Sequence, residues 1–121
     1  MAQSAVAWSP IARRALGRLA QATATYRMVV AEAGRSDIGR RFYEQGPERA
    51  GAALAAFLRS EMDAGRLKKR DASVAAMHLV ALLEAETLHR REMGVAPMAT
   101  HQQMKQMVAR AVTVFMAAYG V

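Results

Sequence analysis

Cysteine is absent from the 121 residues of the chain, and aromatic residues make up only 6% of them. Without cysteine the chain has no disulfide, no thiolate nucleophile and no cysteine-ligated zinc or iron–sulfur site. The shortage of aromatic and β-branched residues, beside many alanines and methionines, favours helices and excludes a β-sandwich or barrel. The length suits one ordinary domain. We therefore expect a single all-α domain.

Long apolar runs are also missing. No charge-free apolar stretch of about 18 residues is present, and the N-terminus lacks the basic start of a secretory signal. We therefore expect a cytoplasmic protein without membrane association. The net charge of +7 raises nucleic-acid binding as an alternative. Clusters such as Arg13-Arg14 and Lys68–Arg70 stand at predicted helix ends without interleaved aromatic residues, so we expect no direct nucleic-acid binding by this chain.

Capping residues and glycines divide the chain into a predicted bundle of five to six helices. We expect residues 1–9 to be irregular and residues 10–120 to form the domain. The predicted helices cover about 10–21, a stretch ending before Gly34, 37–45, 47–63, 71 or 73 to about 92, and 100 to about 119. The third begins after Ser36-Asp37, the fourth at Pro47, and the fifth is capped by Asp71 or Ser73.

The fifth predicted helix is apolar on nearly every side, because His78 is the only polar side chain from Val74 to Leu83. One stripe contains Val74, Met77, Ala81, Glu84 and Leu88. The opposite stripe contains Ala76, Leu79, Val80, Leu83 and Thr87. A chain of this length has difficulty covering both stripes with its own residues, so we expect a partner surface.

The last predicted helix carries a similarly wide apolar stripe. Two long helices of this kind suit a two-fold, four-helix interface to which each protomer contributes its last two helices, although a monomeric bundle remains the alternative. The predicted interface residues are Leu79, Leu83, Thr87, Met104, Val108, Ala111, Val112, Phe115 and Tyr119.

The order and spacing of several segments give the chain a resemblance to a known family. These segments are Tyr26–Ala33, Arg41–Ala50 with its Phe-Tyr-x-x-Gly-Pro turn, Leu54–Leu58, and Gly65–Leu67 before Asp71. Together they resemble the C-terminal regulatory domain of TetR/AcrR-type transcription regulators, over about Pro10 to Gly120. The resemblance implies that the middle helices enclose a small-molecule pocket and that the last two helices form a homodimer interface.

In the family, ligand binding shifts helices that carry an N-terminal helix-turn-helix and so releases operator DNA. That unit needs a tri-helical segment before residue 10, where this sequence has nine residues. A truncated product, a misplaced start and a genuine stand-alone sensory domain are the alternatives. Repressor activity by this chain alone is therefore not expected.

A pocket between the middle helices takes an apolar or amphipathic ligand, because large and adaptable side chains line it. Glu84 shares a stripe with apolar residues, so it is either a partly buried carboxylate that contacts a ligand or an acid that reaches solvent. The predicted ligand-binding residues are Tyr26, Val30, Phe42, Phe57, Met62, Met77, Ala81 and Glu84. Ordinary core packing is the alternative for each of them.

Enzymatic and metal sites find little support in the sequence. Glu86 and His89 form a Glu-x-x-His pair of the kind used in di-iron bundles, but further glutamate ligands on an inward stripe are hard to find. We expect Glu86 to pair with Arg90 instead. No catalytic serine, P-loop or dinucleotide motif is present. We expect no catalysis, no metal and no cofactor.

Two functional hypotheses follow. The first is a small-molecule-sensing, homodimerising regulatory domain. The second is a ligand-free helical interaction module that heterodimerises with a full-length regulator and weakens operator binding. A cavity in the interior distinguishes the first hypothesis from the second.

Overall fold

The computed structural model describes residues 10–15, 24–88, 90, 93–95 and 99–121. Helices form most of these ranges, and within them the only β-type contact is a bridge between Leu67 and Gly120. The expected all-α class is confirmed. The helices are α1 (residues 10–15), α2 (Ala24–Glu32), α3 (Ile38–Gln45), α4 (Pro47–Asp63), α5 (Ala72–Glu84) and α6 (His101–Tyr119).

Local sequence signals fix several of these boundaries. Pro47 occupies the first turn of α4, where a missing N–H costs nothing. Gly65 follows α4 with a φ of +78°, a left-handed conformation that glycine adopts without strain. The Asp71 carboxylate caps α5 by accepting hydrogen bonds from the backbone N–H groups of Ser73 and Val74. Side-chain caps of this kind satisfy donors that have no partner within the helix.

The N-terminus of α6 carries a reciprocal capping box. The Thr100 hydroxyl accepts from the Gln103 N–H at 3.1 Å, and the Gln103 side chain accepts from the Thr100 N–H at 2.9 Å. The predictions for α3, α4 and α6 are thus confirmed to within a residue or two.

The predicted fifth helix is interrupted by a turn. The helix α5 ends at Glu84, residues 85–87 form a turn in which the Thr87 N–H donates to the Glu84 carbonyl, and residues 88 and 90 are helical again. The apolar pattern continues past this point without a glycine or proline to mark the end. The first predicted helix is described only over residues 10–15, and the call on residues 1–9 lies outside the described ranges.

The hydrophobic core is built by α4, α5 and α6, with α1 laid against it. Leu58, Leu79 and Val112 are completely covered, as is Ile11 of α1. By contrast, α2 packs on α3 and α3 packs on α4, so these two helices lie at the outside of the fold. The core therefore depends mainly on the residues from Pro47 onward.

Membrane insertion finds no support in this fold. Within the described ranges, no helix combines the length and the hydropathy that crossing a bilayer requires.

Candidate functional site

The outer face of α5 carries apolar side chains that the fold leaves uncovered. Helical periodicity turns Ala75, Leu79 and Leu83 into the core, and the opposite side of the same helix faces out. Met77 is 62% exposed and Val74 is 36% exposed. Neither side of the helix carries a charged side chain before Glu84. A helix that is apolar on its solvent side is a candidate for contact with another molecule.

The neighbouring helix α6 continues this surface. Its inner side packs Val112 and Phe115 into the core, while Val114 is 54% exposed and Ala117 and Ala118 are also exposed. We name this surface the outer face; its residues are exposed and uncharged, and they lie on the side of α5 and α6 that faces away from the core. The outer face consists of Val74, Met77, His78, Ala81, Val114, Ala117 and Ala118.

A groove of about 350 Å³ runs between α5 and α6 on this face. It is lined by His78, Ala81, Leu82, Val114, Phe115, Ala118 and Tyr119. The floor is stiffened by an aromatic pair, because the rings of Phe115 and Tyr119 stack with centroids 4.7 Å apart. The groove is open to the surface and almost entirely apolar, so a helix from another molecule suits it better than a polar ligand.

His78 and Tyr119 supply the polar contact of the groove. His78 Nδ1 lies 2.5 Å from the Tyr119 hydroxyl, and the contact joins α5 to the last turn of α6. The Tyr119 side chain is otherwise buried. The pair therefore fixes the positions of the two helices relative to each other at one end of the groove.

An ion pair joins the turn after α5 to the middle of α6. Arg110 on α6 donates to both carboxylate oxygens of Glu86, from Nε at 3.0 Å and from Nη2 at 2.7 Å. These charge-assisted bonds lower the pKa of Glu86 and raise the pKa of Arg110. Glu86 therefore pairs with Arg110, across the helices, rather than with Arg90 as the spacing suggested.

A second ion pair closes the turn between α4 and α5. Glu61, which is buried, accepts from Arg66 Nε at 2.7 Å and from Nη2 at 3.0 Å. The bonds to Glu61 raise the pKa of Arg66. Just beyond, the Lys68 N–H donates to the Tyr119 carbonyl at 2.8 Å. The turn is thus attached to the C-terminal end of α6, next to the groove.

The predicted ligand-binding residues do not share one environment. Met62 is buried in the core, Phe57 and Phe42 are partly covered, and Val30 is 46% exposed. Met77 and Ala81 lie on the outer face, Glu84 is partly covered, and the side chain of Tyr26 lies outside the described part of the chain. The Arg14 guanidinium lies 4.2 Å from the centroid of the Phe57 ring, a cation–π contact. A ligand pocket around these eight residues remains a prediction.

The stripe of α5 that the sequence analysis assigned to the dimer interface is the one that the protomer covers. Most residues predicted for the dimer interface pack inside the protomer, because the turn to α4 and the contact with α6 direct that stripe inward. The buried ones are Leu79, Leu83, Val108, Ala111, Val112, Phe115 and Tyr119, while Thr87 and Met104 are partly covered. The uncovered stripe is the one that contains Met77 and Ala81, which the sequence assigned to the pocket.

Sequence reasoning missed Val114 and Ala117 as members of the outer face. The signal available for them was the lack of charge on that side of α6 between Arg110 and the C-terminus. Helical spacing alone does not show which of two apolar stripes a protomer covers.

The metal hypothesis gains no support from the described residues. Among them, no three or more His, Asp or Glu side chains lie close enough together to hold a metal ion. The side chain of His89 lies outside the described ranges. Glu86 is already engaged by Arg110.

Comparison with known protein families identifies the fold. Residues 12–121 match the model of the AefR-like transcriptional repressor, C-terminal domain. The chain belongs to this family. It is therefore the C-terminal domain type of TetR-family transcription regulators, as the sequence pattern around the Phe-Tyr-x-x-Gly-Pro turn indicated. A comparison with curated proteins gave no match.

Solved structures of TetR-family regulators share the architecture. The flavonoid-responsive regulator FrrA is 28% identical, with a TM-score of 0.67, over 79% of this chain and 49% of FrrA. The chain thus spans about half the length of that relative. A putative TetR-family regulator from Mesorhizobium loti MAFF303099 is 20% identical, with a TM-score of 0.73, over 99% of this chain and 71% of that one. A TetR-family regulator from Pseudomonas syringae pv. tomato DC3000 is 23% identical, with a TM-score of 0.55, over 90% and 60%.

Proposed function

We propose that this domain forms a homodimer through the outer face of α5 and α6 and that it senses a small apolar or amphipathic molecule. The observation that carries the dimer is the continuous uncharged surface of two adjacent helices in a chain whose net charge is +7. Surfaces elsewhere on the protein carry arginines and lysines. A two-fold axis near the groove would bring four helices together and cover both copies of the face.

The dimer is tested by placing a charge on the outer face. Ala81 is exposed in the middle of α5 and lines the groove, so Ala81→Glu leaves the protomer fold intact and puts a carboxylate into the interface. Ala56 is the matched control, because it is exposed in the middle of α4, away from the outer face.

Sedimentation velocity distinguishes the outcomes. We expect the unmodified chain and Ala56→Glu to sediment as dimers and Ala81→Glu to sediment as a monomer with an unchanged helical circular dichroism spectrum. A monomeric unmodified chain, or an Ala81→Glu dimer as tight as the control, would contradict the proposal.

The sensing role is supported by the family and by one relative. Regulators of this family combine ligand sensing with dimerisation, and one similar protein is described as flavonoid-responsive. We propose that the ligand binds between α3, α4 and α1, where Phe42, Phe57 and Met62 are covered to different degrees. Aromatic and methionine side chains in that region suit a planar, largely apolar molecule.

Isothermal titration with one flavone, one flavanone and one isoflavone tests the ligand class. Phe57→Ala is expected to weaken binding of the active compound by about two- to tenfold, since an aromatic contact contributes about 0.5–1.5 kcal/mol. Ala81→Glu should bind it normally if pocket and interface are separate. No binding by any of the three compounds would contradict the flavonoid class.

A heterodimerising interaction module is the alternative function. A heterodimer would use the same outer face, because a full-length regulator of the family has the same two helices at the end of its chain. Mixing this chain with such a regulator and measuring subunit exchange by native mass spectrometry separates the two cases: a homodimer that does not exchange argues against the module.

A further inference from the structure

The groove on the outer face contains a titratable contact in otherwise apolar surroundings. Of its lining residues, only His78 and Tyr119 carry polar side-chain atoms, and these two meet each other, with Nδ1 2.5 Å from the hydroxyl oxygen. Their rings lie with centroids 5.9 Å apart and a tilt of 45°, so the contact is made edgewise through the heteroatoms. Histidine is the side chain that changes charge between about pH 5 and pH 8.

We propose that this contact makes pairing through the outer face sensitive to pH, with protonation of His78 weakening the dimer. The inference rests on the proposed dimer, since it concerns what regulates the same face. The inference assigns the regulation of this face to His78 and names a fall in pH as the signal.

A neutral imidazole satisfies the contact with Tyr119. With the proton on Nε2, Nδ1 accepts the Tyr119 hydroxyl proton and the pair is satisfied. Protonation turns Nδ1 into a donor, so the Tyr119 hydroxyl must rotate its own proton away from the ring. The phenol of Tyr119 has an otherwise buried, stacked side chain, which leaves it little freedom to find another acceptor inside the groove.

The surroundings offer a protonated imidazole little compensation. On α5 no charged side chain occurs between Asp71 at the N-cap and Glu84 at the last turn. The α6 wall of the groove presents Val114, Phe115 and Ala118 beside Tyr119, none of them charged.

Charged groups at the end of the groove are mostly basic. The turn that reaches the C-terminal end of α6 carries exposed Lys68, Lys69 and Arg70, and the Lys68 N–H is bonded to the Tyr119 carbonyl. Asp71 is engaged in capping α5. Covering a protonated His78 with a second copy therefore removes its hydration, and none of the residues that line the groove supplies a matched anion.

Two-fold symmetry doubles the effect. An isologous interface includes His78 from both copies, so dissociation couples to two protonation sites. By linkage, the dissociation constant of the dimer rises as pH falls through the titration of these groups. Between pH 7.5 and pH 5.5 we expect the dimer to weaken by about tenfold or more.

Sedimentation velocity over a concentration series at pH 7.5 and at pH 5.5 tests the proposal. His78→Gln is the control variant, because glutamine keeps a polar group on an exposed position but does not titrate. It should dimerise at pH 7.5 and lose most of the pH dependence. Tyr119→Phe keeps the stacked ring but removes the hydroxyl that contacts His78, so a changed pH dependence in this variant would show that the contact takes part.

A second measurement follows His78 directly. The His78 imidazole resonance is assigned by its absence in the spectrum of His78→Gln, and its titration is recorded at two protein concentrations. Linkage requires the midpoint to move to lower pH at the higher concentration, where more of the chain is dimeric. Circular dichroism at both pH values reports whether the helices stay folded.

The outcomes distinguish the proposed pH dependence from the proposed dimer on which it rests. A chain that is monomeric at pH 7.5 overturns the proposed dimer and the pH dependence with it. A dimer whose dissociation constant is the same at both pH values, or whose weakening persists fully in His78→Gln, overturns the role of His78 alone and leaves the dimer standing.

Discussion

The inner and outer faces of α5 and α6 are built from the same kinds of residue and differ in what covers them. The inner face holds Leu79 and Phe115 at 0% and 1% exposure, and the outer face holds Met77 and Val114 at 62% and 54%. The helices themselves do not distinguish the two faces by hydropathy. The difference lies in the neighbours, since α4 covers one face and nothing in the described part of the chain covers the other.

The comparison teaches that an apolar stripe has two possible uses, a core or an interface. In α5 a covered apolar stripe and an uncovered one lie on a single helix of 13 residues, whose sequence is almost free of polar side chains. Substitutions on the two faces should therefore affect different quantities, namely folding for the inner face and association for the outer one.

The largest expected effect comes from truncating one residue on each face of α5. Leu79→Ala leaves a cavity in the core and should lower the free energy of unfolding by about 2–5 kcal/mol. Met77→Ala removes an exposed side chain and should change the unfolding of the protomer little, while weakening the dimer. Urea denaturation at low protein concentration and sedimentation at high concentration measure the two quantities. Equal losses of folding stability in Leu79→Ala and Met77→Ala would contradict the distinction between the two faces.

A smaller effect is expected from the cap that starts α5. Asp71→Ala removes the acceptor of two backbone N–H groups and should cost about 1 kcal/mol. Asp63→Ala is the control, because Asp63 is exposed at the end of α4 and caps no helix N-terminus. Thermal unfolding followed by circular dichroism compares them. If both variants unfold at the same temperature, the orientation of the two faces does not depend on this cap.

The smallest expected effect concerns the Glu86–Arg110 ion pair. Arg110 lowers the pKa of Glu86, so the pair stabilises the fold above the ordinary pKa of a glutamate and loses this contribution as pH falls through the lowered value. Arg110→Gln should therefore differ from the unmodified chain at pH 7 and converge with it in acid, once the pH has fallen below the lowered pKa of Glu86. Because both side chains are substantially exposed, high salt should shrink the difference. A constant difference across this pH range would contradict the assignment.

Much of the fold follows from local signals in the sequence. The Gly46-Pro47 step, Gly65, the Asp71 cap and the Thr100 capping box each act within a few residues, so the ends of α3 and α4 and the starts of α5 and α6 were predictable. The end of α5 was not, because no glycine or proline marks Glu84. The turn there depends on contacts with α6 such as the Glu86–Arg110 pair, which lie far apart in sequence.

The site was harder to predict than the fold. Periodicity separated the two stripes of α5 correctly, but it does not record which stripe α4 and α6 cover. That choice depends on the direction in which the Glu61–Arg66 turn sends the chain. The resemblance to the family placed a homodimer interface on the last two helices, and our proposal uses the opposite side of the same two helices.

The central claim is that two copies meet through the outer face, and site-specific cross-linking tests it most directly. The natural chain has no cysteine, so each introduced cysteine is the only one present. Ala81→Cys and Ala118→Cys place a thiol on the outer face, and Ala56→Cys places one on exposed α4. With a short bismaleimide at micromolar protein concentration, we expect the first two variants to give a covalent dimer and Ala56→Cys to stay monomeric. Efficient cross-linking of Ala56→Cys alone would contradict the account.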